Sequence, residues 1–196
     1  MKTRYACVLV MAALVFSCGR AERKEAVGLF QVLKQQQAGF TSANNMEQDL
    51  YKSARAWADG IAVNGSGAGA DLSGNAAVAR DLAKSADMIS AQVGLVRQAI
   101  YNHEVREEYP QSIRTGLIGQ LTKRQRRLQD LRAQLDETAK GLVELGQAAG
   151  YKGDSYPGTF PQLRQMVDSY KTDDAVPAAM SALKAKYDIK DADLAS

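Results

Sequence analysis

The chain is poor in the residues that build most reactive centres. Its 196 residues hold two cysteines, Cys7 and Cys18, both within the first 18 positions. Beyond Cys18 there is no thiol. That excludes an internal disulfide, a zinc–thiolate site, a c-type haem attachment and a cysteine nucleophile from the remainder. His103 is the only histidine, so a carboxylate-bridged di-metal bundle, which needs two Glu-x-x-His pairs, is excluded as well. Gly-x-Ser-x-Gly and His-Glu-x-x-His are missing. The glycine-rich run at 65–69 is followed by no Gly-Lys-Ser/Thr, so it is no phosphate cradle. Aromatics make up only 7% of the chain and there are four prolines. Charge of either sign is not in excess: with Lys2 and Arg4 set aside, 23 basic residues face 22 acidic ones. A near-neutral chain has no electrostatic drive toward nucleic acid.

What is present begins with an export-like N-terminus. Lys2 and Arg4 precede an apolar run over 6–16 (ACVLVMAALVF). The run is of signal-peptide length and too short for a permanent transmembrane helix. Val15-Phe16-Ser17-Cys18-Gly19 follows, with an aliphatic residue at −3, a small one at −1 and cysteine at +1. This resembles the lipobox of bacterial lipoproteins, although Phe16 stands where a small or hydroxyl residue is usual. The resemblance covers residues 1–19. It implies cleavage after residue 17 and acylation of Cys18 with a diacylglycerol thioether and an N-acyl chain. Several chains hold a protein on a bilayer where one would not, because each buried methylene contributes about 0.8 kcal/mol. Gly19 in place of Asp at +2 implies outer-membrane sorting in the enterobacterial pattern.

The rest is rich in Ala, Leu, Gln, Lys, Arg and Glu, all good helix formers. Three stretches carry apolar residues in alternating steps of three and four, the pattern of left-handed coiled-coil packing. The first seam is Leu29, Leu33, Gln36, Phe40, Ala43, Glu47, Leu50, Ala54, Trp57 and Ile61. The second is Leu82, Ala86, Ile89, Val93, Val96, Ile100, His103 and Glu107. The third is Leu117, Leu121, Arg124, Leu128, Leu131, Leu135, Thr138, Leu142 and Leu145. Gly39 and the run 41–45 are poor helix formers, but the seam stays in phase across them, so the first helix is expected to be continuous.

Breaks separate the helices. Residues 60–75 (GIAVNGSGAGADLSGN) read as a flexible loop between helices one and two. Pro110 is expected to close helix two and Ser112 to cap helix three. Gly150 ends helix three, and a loop follows over 151–160. Thr159 and Gln162 suggest a capping box with Pro161 in the first turn of a short helix bearing Leu163, Val167 and Tyr170. Asp174 is placed to cap a last helix with Met180, Leu183 and Tyr187 on its apolar face. The tail from residue 188 is polar and expected to fray. The fold class is therefore all-α: an elongated up-down bundle of three long helices plus two short C-terminal ones, spanning 18–196 after a signal at 1–17. A segment at 86–104 (ADMISAQVGLVRQAIYNHE) resembles part of the LemA family of membrane-anchored helical proteins. Its spacing differs by a residue and the order of the rest differs, so no residue role is carried over.

Few polar residues stand in unusual places. His103 and Glu107, one turn apart on a helix, suggest a metal or proton site or, more simply, a half-exposed bundle end. Arg124, Glu47, Gln36 and Thr138 interrupt apolar seams. They read either as the lining of a small polar cavity or as register-setting residues. Lys123, Arg124, Arg126, Arg127 and Arg132 gather positive charge on helix three, a surface for an acidic partner or anionic lipid, or else a solvated face. Tyr151, Tyr156, Pro157, Phe160 and Pro161 form an aromatic loop, either a recognition patch or a lid on the bundle. These features lead to the expectation of a non-enzymatic lipoprotein without metal or cofactor. It would be held to the outer membrane by Cys18, face the periplasm, and bind or scaffold another envelope component. The alternative is a bundle that senses a small ligand or metal through its polar seam residues.

Overall fold

The computed structural model describes the backbone of residues 2–64, 71–147 and 159–194, and side chains from residue 19 onward within these stretches, up to residue 61 in the first. The chain is all-α, with three long helices and two short C-terminal ones: α1 (Lys2–Asn64), α2 (Leu72–Asn102), α3 (Glu108–Gln147), α4 (Phe160–Asp168) and α5 (Ala175–Tyr187). A short 3-10 turn, Asp191–Leu194, follows. Among the described residues there is no strand. None of the helices is long and apolar enough, over those residues, to cross a membrane.

The first helix runs unbroken through 39–46 as expected. An in-phase buried stripe outweighs a few tenths of a kcal/mol of unfavourable propensity per residue. The loop expected at 60–75 is shorter than that, because α1 continues to Asn64 and α2 starts at Leu72. The reason is a cap. Oδ1 of Asp71 accepts the amide of Gly74 at 2.7 Å and the Asp71 carbonyl accepts the amide of Asn75 at 2.9 Å, satisfying donors a helix start leaves free.

The α2–α3 connection also differs from expectation. Pro110 does not close helix two; it sits in the first turn of α3, where the missing N–H costs nothing. Ser112 is therefore inside α3, and the first helical bond runs from the amide of Gln111 to the carbonyl of Glu107 at 3.0 Å. The expected capping box at Thr159 does not form: Thr159 makes no side-chain cap. Its hydroxyl instead shares a 3.2 Å hydrogen bond with that of Thr138 on α3. Asp174 likewise precedes α5 without a side-chain cap. The C-terminal tail is tied down rather than frayed through residue 194. Oδ2 of Asp193 accepts from Arg23 Nη2 at 2.7 Å and from the amide of Lys190 at 2.8 Å, and Ile189 is buried. Gly150, Tyr151, Tyr156 and Pro157 lie outside the described residues.

Contacts divide the chain into two compact units. The first comprises Met1–Ala38, Val96–Leu121 and Asp174–Ser196, the second Gly39–Leu95 and Thr122–Asp173. Each long helix contributes a segment to both. In the first unit the buried side chains include Leu29, Phe30 and Leu33 of α1, Val96 and Ile100 of α2, Leu117 and Leu121 of α3, and Val176, Ala179 and Leu183 of α5. In the second, Gln92 of α2 donates to the Gly39 carbonyl near the start of the α1 segment (3.2 Å), while Ala58 and Ile61 near its end pack with Leu72, Ala76 and Ala79 of α2. Thus α1 and α2 run antiparallel there. Arg132–Asp87 and Gln125–Ser90 contacts make α3 antiparallel to α2, and α4 runs back along α1. One short helix supplies the fourth side of each unit.

The three seams are buried nearly as expected. One departure is at the start of α2, where Leu82 is half-exposed and a row of alanines, Ala76, Ala79 and Ala83, turns inward. Small side chains let neighbouring helices approach closely, and Leu at 82 falls on the shoulder of that row.

Candidate functional site

The seam interruptions at positions 47 and 124 meet in the second unit. Both residues are 1% exposed. Arg124 Nε donates to Glu47 Oε2 at 2.6 Å, and Nη2 lies 2.6 Å from the same oxygen. The guanidinium sits 5.2 Å from the Phe40 ring centre, a cation–π arrangement that replaces some lost hydration. Both residues occupy seam positions on parallel helix segments, which is why their side chains converge. Nη1 points the other way, 3.8 Å from Oδ2 of Asp173. Asp173 ends a connection after α4 whose carbonyl accepts from Asn44 Nδ2 at 2.8 Å. Among the described residues, Asn44 Oδ1, Glu47 Oε1 and Arg124 Nη1 are buried without a hydrogen bond. Burial raises the Glu47 carboxyl above its ordinary pKa, against the opposing pull of Arg124 and Arg127.

One turn further along α1, Tyr51 stacks on Tyr170, with ring centres 4.1 Å apart and planes 13° from parallel. Tyr51 is buried, and its hydroxyl is pushed up to about 12, first by desolvation and then by the negative charge of Glu47. This pair borders a groove of about 320 Å³ lined by Gln48, Tyr51, Lys52, Arg55, Ala56, Asp59 and Tyr170. The spacing of the α1 residues (48, 51/52, 55/56, 59) puts them on one helical face. Two of the charged groups are engaged at the rim: Arg55 Nη2 donates to the Val167 carbonyl at 3.2 Å, and Arg164 Nη2 donates to Asp59 Oδ1 at 2.7 Å. Lys52 is solvent-facing. Arg127, exposed on α3, acts electrostatically on both tyrosines. The groove is thus an aromatic-sided, basic depression at the lower end of ligand-pocket size.

His103 and Glu107 belong to the first unit and do not share a helix. Helix α2 ends at Asn102, and both lie in the connection over 103–107, so the one-turn spacing expected of them is absent. The His103 ring lies against Gly28 of α1, where an added Cβ would meet Cε1 and Nε2 at 3.3 Å. Nε2 is buried without a hydrogen bond among the described residues. Nearby, Glu25 Oε2 accepts the amides of Arg106 and Glu107, each at 2.7 Å. These bonds hold its carboxyl below the ordinary range, the Glu107 amide contributing most. Among the described residues no three His, Cys, Asp or Glu side chains are grouped as metal ligands.

Of the expected interaction patch, Arg126 and Arg127 are exposed. Phe160 is not: it is 6% exposed and packs in the core with Ala58, Ile61 and Leu142, edge-on to Trp57 with ring centres 6.4 Å apart. Its position at the first residue of α4 turns the ring inward, so it closes the core instead of offering a contact. Tyr151 and Tyr156 lie outside the described residues. The groove itself was missed by sequence reading. Gln48, Lys52 and Arg55 look like ordinary solvated helix residues until Tyr170 is placed beside them.

Compared with family models, curated proteins and solved structures, the chain matches none.

Proposed function

We propose that this chain is a bacterial lipoprotein, anchored through acylated Cys18, whose helical domain docks on another component of the cell envelope without catalysing a reaction. The observation that carries the reading is the lipobox-like Val15-Phe16-Ser17-Cys18-Gly19 after an apolar run of signal length. Outer-membrane placement facing the periplasm follows from Gly19 by the same resemblance. The groove beside Tyr51 and Tyr170 supports the docking half. Its stacked tyrosines offer rigid apolar area, and Lys52, with Arg127 acting nearby, favours an acidic partner face. The test is acyl labelling and fractionation in a bacterial host. Wild-type protein takes up labelled fatty acid and sediments with membranes; Cys18→Ser does neither. Membrane retention of Cys18→Ser without label overturns the anchor. Charge reversal at Lys52 and Arg127 leaves labelling intact and weakens cross-linking to the partner.

A second reading, a bundle that holds a small polar ligand, is favoured by the buried, unbonded Asn44 Oδ1, Glu47 Oε1 and Arg124 Nη1. Native mass spectrometry of protein purified from its host tests it. A bound small molecule lost in Arg124→Met supports the reading, and the bare chain mass alone ends it.

A further inference from the structure

The segment over 169–173 is held within the second unit by unusual means. It lies between α4 and α5 and has no helix of its own. Among its attachments through residue 173 are the Tyr170–Tyr51 stack, a 3.5 Å contact from Gln48 Nε2 to Thr172 Oγ1, the bond from Asn44 to the Asp173 carbonyl, and the long ion pair from Arg124 to Asp173. The last of these is under-made. At 3.8 Å, Nη1 and Oδ2 are beyond hydrogen-bond distance. Meanwhile Glu47 engages Nε and Nη2 of the same guanidinium with a single oxygen. One buried cation therefore faces two carboxylates, tightly bound to one and about 1 Å short of contact with the other.

We propose that Arg124 is a two-position cation: when Glu47 takes up a proton, Arg124 shifts onto Asp173 and tightens the 169–173 segment against the α1 and α3 segments of the second unit. The driving force is electrostatic. A fully buried guanidinium cannot lose its proton, so it follows the nearest anion. With Glu47 ionised, that anion is Glu47. With Glu47 neutral, it is Asp173. Reaching it takes a movement of about 1 Å, within rotamer adjustment for a long side chain. The groups acting on Glu47 are Arg124 and Arg127 from α3, Asp173 and Tyr170 from the segment, and Tyr51 from its own helix. Burial, the largest influence on Glu47, favours its neutral form and so raises the pH of proton uptake above the ordinary carboxyl value. Because the segment carries Tyr170, a wall of the groove, acid fixes that wall more firmly. The device operates whatever occupies the groove, so it stands apart from the docking reading.

Hydrogen exchange of the full chain, corrected for the intrinsic pH dependence of exchange, tests this. As pH is lowered from 7 to 4.5 the amides of 170–173 should become about threefold or more better protected. Glu47→Gln, which mimics the protonated carboxyl, should show the protected value at both pH values. Asp173→Asn, which leaves the Glu47–Arg124 pair intact, should show the weaker protection at both. Unchanged corrected exchange in the wild type, or a pH response that survives in Asp173→Asn, overturns the proposal. If Glu47→Gln fails to fold, the wild-type and Asp173→Asn pair decides alone.

Discussion

The two units solve the same packing problem with opposite treatments of charge. The second buries Glu47, Ser90, Arg124 and Thr138; among the described residues the first buries no polar side chain to that degree. Its ionic and polar contacts sit at the edge: Arg23 with Asp193, Glu22 with Lys186 and Tyr187, and Glu25 on the amides leading into α3. Edge contacts organise connections and tails at little desolvation cost, and each contributes little. A core pair is different. Removing water from both ions costs more than their attraction necessarily returns, but breaking the pair strands a charge. The second unit therefore spends stability on specificity where the first relies on apolar fit.

The sharpest way to break this comparison is to remove one ion. Arg124→Ala or Glu47→Ala should cost about 4 kcal/mol, because each leaves its partner buried without its nearest counter-ion. Urea denaturation measures it. Replacing both, Glu47→Leu with Arg124→Met, should return stability to within about 1 kcal/mol of wild type or above it. A double variant as weak as the singles would mean that the pair is a net stabiliser and that the contrast between the units is overdrawn. In the apolar unit the counterpart is Leu33→Ala, with a cost of about 3 kcal/mol from lost transfer energy and a residual cavity. No second substitution elsewhere in that unit should rescue it.

How much of this was readable in advance follows from the same physics. Stripes of Leu, Ile and Val at alternating three- and four-residue steps identify buried faces because helix geometry is rigid and oil–water partition is strong. Leu29, Leu33, Ile89, Val93, Leu128 and Leu135 are all buried on that account. Glu47 and Arg124 stood out as exceptions on those stripes. Their pairing required knowing that α1 and α3 run parallel within one unit and at which level they meet. His103 was misplaced because helix two was extended through it to Pro110, whereas Pro110 starts the next helix. Asp173 gave no signal; Tyr170 was expected on the apolar face of the short helix with Leu163 and Val167, but that helix ends at Asp168, and the ring stacks on Tyr51 from the connection beyond it. Phe160 had the composition of a surface aromatic and the burial of a core one; only the packing of α4 on Trp57 distinguishes these.

The two treatments of charge also have opposite pH signatures. The folded state holds Glu25 below the ordinary carboxyl value of 4.5 through its two backbone hydrogen bonds. Its contribution to stability is thus complete above that value and is lost as pH falls through the lower, folded-state pKa. Glu47 is held above 4.5 by burial. Its contribution is complete below 4.5 and is lost as pH rises through the folded-state pKa. Glu25→Gln should cost about 1 kcal/mol at neutral pH, the size of a lost cap, and should flatten the acid limb of the stability–pH profile. Glu47→Gln should flatten the side above 4.5 instead. Profiles of the two variants that change in the same direction would remove the distinction.

The smallest effect concerns glycine, and it tests how tightly each unit is packed. Gly116 and Gly119 lie in the α3 segment of the first unit, and a Cβ at either would meet nothing within 4 Å. Each lowers helix propensity by about 0.8–1 kcal/mol relative to alanine, with no packing reason visible for it. Gly116→Ala and Gly119→Ala should therefore each raise stability by roughly 0.5–1 kcal/mol. Gly94, in the second unit, is the control. A Cβ there would meet Gln125 Nε2 at 2.6 Å, the nitrogen that donates to the Ser90 carbonyl at 3.1 Å. Alanine at 94 gains the same propensity but must displace that donor, and a lost hydrogen bond between α2 and α3 costs about 1 kcal/mol. The two terms cancel, so Gly94→Ala should leave the urea midpoint where it is while the first-unit alanines raise it. A gain at Gly94 equal to theirs would show that the α2–α3 approach in the second unit yields without cost, and that its tight packing is confined to the buried ion pair.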